Sequence, residues 1–63
     1  MSETVNLLEK TFDTWMVENA KFERGNNAAG TRARKALQEM AVLAKVRRAE
    51  ISATRTERKE AKV

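Results

Sequence analysis

The run Thr31, Arg32, Ala33, Arg34, Lys35 places a hydroxyl, two guanidiniums and an ammonium within five residues, directly behind the stretch GNNAAG that holds both glycines of the chain. These side-chain types in this order suit one chemistry, the holding of a phosphate. The first N–H groups of a helix have no intrahelical acceptor, and together with the helix dipole they favour an anion. A helix starting here offers the amides of Ala28, Ala29, Gly30 and Thr31, with Asn27, or failing that Thr31, as its cap. Gly30 costs about 1 kcal/mol relative to Ala inside a helix, and a backbone lying close against a ligand is one reason to keep it. Arg32, Arg34 and Lys35 fan around such a helix, so some flank a phosphate while Ala33 and Leu37 face inward. A plainer reading stands beside this one: the glycines only make a turn and the cations are a solvated surface. Further along, Lys45, Arg47, Arg48, Arg55, Arg58 and Lys59 read as general electrostatic contacts. Arg47 projects near the apolar sector, where a carboxylate of the first helix is its alternative partner.

Other chemistries have little to work with. The chain has no His, Cys or Tyr, so no metal set, disulfide or nucleophile–base pair is expected, and no cofactor or small-molecule substrate is implied. Glu9 with Asp13, and Glu57 with Glu60, fall at ordinary solubilising spacings on helix surfaces. The residues point to a non-enzymatic protein.

Charge narrows the partner. Thirteen Lys and Arg against nine Asp and Glu give a formal net charge of +4, and the halves differ in sign. Residues 1–31 hold three cations and five anions, whereas residues 32–63 hold ten cations and four anions. The first half therefore reads as the assembly element and the second as the element facing an anionic partner. The partner expected is double-stranded DNA, met through its phosphate backbone and with little sequence preference, because there is no Asn or Gln array for reading base edges. RNA, or an acidic protein bound by a helical adaptor, is the alternative. No stretch approaches the roughly 20 apolar residues needed to span a bilayer, and Ala occupies the second helix where an interfacial helix carries Trp, Phe or Leu. No membrane partner is expected; the acidic N-terminus is unlike a signal peptide, and the expected location is the cytoplasm, at the nucleoid.

These residues need rigid elements to position them. Proline is absent, and the stretches on either side of the glycines are rich in helix formers. The pattern predicts an all-α antiparallel hairpin forming a single domain over 1–63: a helix over about 3–24 capped by Ser2 or Thr4, a turn at 25–27 with Gly25 as its left-handed residue, and a helix over about 28–60. The longer second helix overhangs the first, and residues 52–63 form an exposed basic end. Val5, Leu8, Phe12, Trp15, Asn19 and Phe22 step by three and four and so form a heptad seam, flanked by Met16. Ala33, Ala36, Leu37, Met40, Leu43, Ala44 and Ile51 give the second helix its apolar sector. A chain this short buries little of its surface alone. Self-association into a homo-oligomeric helical bundle is expected through Val5, Leu8, Phe12, Trp15, Met16, Asn19, Phe22, Met40 and Leu43.

The stretch ERGNNAAGTRARKAL, with the later Lys45, Arg48, Glu50, Ile51 and Ser52, resembles the bacterial linker-histone-like family first associated with chlamydial nucleoid condensation. The resemblance covers about residues 5–55. It implies a small, helical, self-associating, DNA-binding chromatin-like protein. Chlamydial members carry a long tail rich in Lys, Ala and Pro, whereas this sequence has only a short charged end, so DNA binding is expected to rest on the folded part.

Overall fold

The computed structural model describes residues 2–61. It contains two helices and no strand among the described residues: α1, Glu3–Glu23, and α2, Asn27–Ala61. Contacts at both ends fix them antiparallel, with Thr4 meeting Glu50 at one end and Glu18 meeting Arg32 near the turn. The result is a rod of 57 × 17 × 14 Å.

Each boundary has a local cause. Ser2 is the N-cap of α1, its hydroxyl accepting from the Thr4 amide at 3.0 Å; of the two candidate caps, Thr4 is already inside the helix. At the other end Arg24 is the C-cap, and Gly25 follows with φ at +105°, a conformation that glycine enters without steric cost. The Asn26 amide bonds back to the Lys21 carbonyl at 3.1 Å and the Gly25 amide to the Phe22 carbonyl at 2.9 Å, which together make a Schellman ending. α2 then begins one residue sooner than the sequence pattern places it. Its cap is Asn26, whose side-chain oxygen accepts from the Ala29 amide at 3.1 Å, and not Asn27 or Thr31. Two adjacent asparagines offer the same chemistry, and the turn geometry selects the first.

The packing seam corrects part of the sequence reading. In α2 the buried and half-buried residues, Gly30 aside, are Ala29, Ala33, Ala36, Met40, Leu43, Arg47 and Glu50, an alternation of four and three that follows one heptad line. Within α1 the buried and half-buried residues are Thr4, Val5, Leu8, Thr11, Trp15, Glu18 and Asn19, a line through Thr4, Leu8, Thr11, Trp15 and Glu18 that Val5 and Asn19 widen. Val5, Leu8, Trp15 and Asn19 are half-buried as expected. Phe12 and Phe22 are not, at 47% and 46% exposed, although Phe22 packs over Gly30. In α2, Leu37, Ala44 and Ile51 likewise stand outside the seam and are exposed. The buried apolar residues among those described are the alanines 29, 33 and 36, so near the turn the helices approach through small side chains, with Trp15 and Phe22 of α1 beside them.

α2 runs on past the start of α1. Beyond Glu50 no residue up to Lys59 is buried or half-buried, yet the helix continues to Ala61. The basic end expected over 52–63 is thus a helical overhang as far as Ala61, and residues 62 and 63 lie outside the described part.

Candidate nucleic-acid interface

Arg32 and Arg47, both offered by the sequence as contacts for an anionic partner, are each held by a carboxylate of the hairpin. Arg32 donates through Nε to Glu18 Oε2 at 2.5 Å, and Lys21 Nζ stands 3.6 Å from Glu18 Oε1. Glu18 is only 9% exposed. The Arg32 hydrogen bond, followed in effect by the charges of Arg32 and Lys21, holds its carboxyl below the ordinary 4.5 despite partial desolvation. Arg47 bonds Glu50 Oε1 at 3.0 Å, one turn along its own helix; its partner is not the first-helix carboxylate offered as the alternative. Glu50 also accepts from the Thr4 hydroxyl at 2.6 Å and the Ser2 hydroxyl at 3.2 Å. Those bonds, Thr4 first and then Arg47, lower the Glu50 pKa as well. The carboxylate sits at the N-terminal end of α1, where the helix dipole favours an anion, so this end of the rod is closed by the chain's own charge.

Sequence reasoning missed both carboxylates as organisers. The available signals were the heptad step from Trp15 to Glu18 and the i, i+3 spacing of Arg47 and Glu50.

Gly30 has a packing reason. A Cβ built on it comes within 2.6 Å of Phe22 Cδ1 and 2.9 Å of Cε1, so the missing side chain makes room for the Phe22 ring. Gly30 and Thr31 are also further into α2 than expected. With Asn26 as cap, and its side chain on the Ala29 amide, the amides that helix geometry leaves for an anion at this end are those of Asn27 and Ala28. Both residues are exposed.

The remaining cations of α2 lie open. Arg34, Lys35, Lys45, Arg48, Arg55, Arg58 and Lys59 are all exposed, and none pairs with a carboxylate among the described residues. Thr31, Arg34, Lys35 and Gln38 line one shallow depression on the helix and Ser52, Arg55, Thr56 and Lys59 another. Turning each residue by about 100° puts Glu9 and Asp13 on the side of α1 away from α2, and Arg34 and Lys45 on the side of α2 away from α1. The rod is therefore acidic along one edge and basic along the other. Among the described residues no group of His, Cys, Asp and Glu could hold a metal ion, and no helix is long and apolar enough to cross a membrane.

Comparison with curated proteins and with solved structures returned no match. The sequence profile described as histone H1-like protein Hc1 matches residues 2–57, which takes in α1, the turn, and α2 through most of its overhang. That family is of the histone-like, DNA-binding kind, and the fold is helical, as the sequence pattern predicts. The chain belongs to the histone H1-like Hc1 family.

Proposed function

We propose that this protein binds duplex DNA without sequence preference by laying the basic edge of α2 against backbone phosphates, and that copies associate through the apolar side of the hairpin. The observation that carries the reading is the sorting of cations. Seam cations are matched by Glu18 and Glu50, while the seven outer ones are left to solvent. Free guanidiniums and ammoniums on a rigid helix contact phosphates, which position a protein without specifying bases. The exposed start of α2, with the Asn27 and Ala28 amides beside Thr31 and Arg34, adds donors for one further phosphate.

The acidic outer edge of α1 repels the same duplex and so orients the rod. Self-association rests on the apolar side chains that the seam leaves out. Phe12, Met16 and Leu37 are each between 47% and 50% exposed, Phe22 leaves 46% of its surface open beside Gly30, and the Phe12 ring meets that of Trp15 at a tilt with centroids 5.7 Å apart. Val5 and Asn19 border this side.

Anisotropy titration of a mixed-sequence duplex tests the reading. Affinity is expected to fall with a log–log salt slope of about −0.9 per phosphate neutralised, and to be equal for unrelated sequences. An Arg34→Ala, Lys35→Ala, Arg48→Ala variant is expected to bind DNA more weakly and with a shallower salt slope while keeping its helical circular dichroism. Binding that ignores salt, or that is unchanged by the triple substitution, rejects the proposal.

A further inference from the structure

The two depressions on α2 share one arrangement. Thr31, Arg34, Lys35 and Gln38 line the first, and Ser52, Arg55, Thr56 and Lys59 the second. In both, the residues fall at i, i+3, i+4 and i+7, spacings that bring side chains together on one helix face. Each cluster has two cations, at least one hydroxyl and no carboxylate, a set in which every side chain can donate to a phosphate. Ser52 follows Thr31 by 21 positions, which at about 1.5 Å per residue separates the clusters by about 31 Å, and at about 100° per residue leaves them about 60° out of phase. They therefore open toward the same side of the rod. Two DNA sites presented on one face of a duplex recur at about 34 Å, one helical turn.

We infer that α2 is a ruler for duplex phosphates: it lies along the DNA axis with its two clusters on backbone phosphates about one turn apart, and Lys45 and Arg48 between them. The inference rests on the DNA-binding reading and adds to it an orientation and a site size. The rod is 17 × 14 Å across, too wide to sink whole into a major groove of about 12 Å. That keeps the basic edge over the phosphates. The second cluster lies on the overhang, where α1 no longer covers any side of α2, so it reaches the duplex without obstruction.

Hairpin-closed duplexes with stems of about 6 and about 12 base pairs, a half turn and a full turn, separate the possibilities. The full chain is compared with an Arg34→Ala, Lys35→Ala variant and an Arg55→Ala, Lys59→Ala variant, each checked for retained helicity. With both clusters engaged, the wild-type chain is expected to bind the longer stem at least about tenfold more tightly, with a salt slope steeper by about 1.8, two phosphates at about 0.9 each. Either variant is expected to lose about twofold on the short stem, where one cluster suffices, and to gain less than about threefold on the long one. If the wild-type chain binds both stems within about twofold, or the variants lose equally on both, the ruler is overturned while DNA binding stands. Failure to bind either stem at low salt overturns both.

Discussion

Phe22 lies over Gly30 so closely that the two form one packing unit, and this gives the glycine a testable cause. Ala in place of Gly recovers about 1 kcal/mol of helix propensity, but here its methyl meets the ring at 2.6 Å, and overpacking of this kind costs about 1–3 kcal/mol. Gly30→Ala is expected to destabilise the wild-type chain and to stabilise a Phe22→Ala background, a reversal of sign readable in urea denaturation. The same sign in both backgrounds would return Gly30 to a ligand-contact role. The two carboxylates make a second prediction. Both Glu18 and Glu50 titrate below 4.5 in the fold, so near that pH the unfolded chain binds more protons and stability rises with pH. Their contribution is complete above about 4.5 and is lost as pH falls through the lowered folded values. Thermal melts from neutral to acidic pH are expected to show a falling Tm in this window, and a flatter acid limb for Glu18→Gln, Glu50→Gln. An unchanged limb means that other groups govern the acid transition.

At the scale of the elements, helix, break and helix are legible because the chain confines both glycines to one window and has no proline. Register is legible only in part. An apolar residue on a helix reads as inward, yet the seam of α1 uses Thr4, Thr11 and Glu18 while Phe12 and Met16 face out. Threonine suits a line facing alanine-rich α2 by its size, and Glu18 by its bond to Arg32; neither property shows in hydrophobic periodicity. The basic edge is legible as charge asymmetry, but periodicity does not tell Arg32, spent on Glu18, from Arg34, left open. The cap shows the same limit: Asn26 and Asn27 are chemically equal, and the turn decides. Asn26→Ala is accordingly expected to cost about 1 kcal/mol and Asn27→Ala only a few tenths, measured by chemical denaturation. Equal losses would mean that the two residues share the cap in solution.

For the whole molecule the deciding quantity is how little the hairpin buries. Among the described residues no large side chain is fully buried, and the apolar interior consists of three alanines. Leu7, Phe12, Met16, Val17, Phe22, Leu37, Val42, Val46 and Ile51 are all 42% exposed or more. Full burial of such a side chain stabilises by about 1.5–3 kcal/mol, of which covering the exposed half adds about 1, so covering about six of them matches the lower end of a typical small domain's stability, about 5–15 kcal/mol. The side bearing Phe12, Met16 and Leu37 carries two of the large residues just beyond Trp15, and a second hairpin placed there covers aromatic and aliphatic surface on both copies at once. Folding is then linked to association, and Tm is expected to rise with protein concentration. Phe12→Lys with Leu37→Lys leaves the Leu8, Trp15 and Met40 seam untouched, yet is expected to yield a monomer by sedimentation, with a lower Tm that no longer depends on concentration. A wild-type chain that sediments as a monomer at concentrations where its Tm is constant would place the stability in the hairpin alone. Association also bears on DNA. Two basic edges joined at fixed separation engage one duplex, or two, with an avidity that neither edge has alone, so loss of association is expected to weaken DNA binding even though the paired substitutions add two cations to each chain.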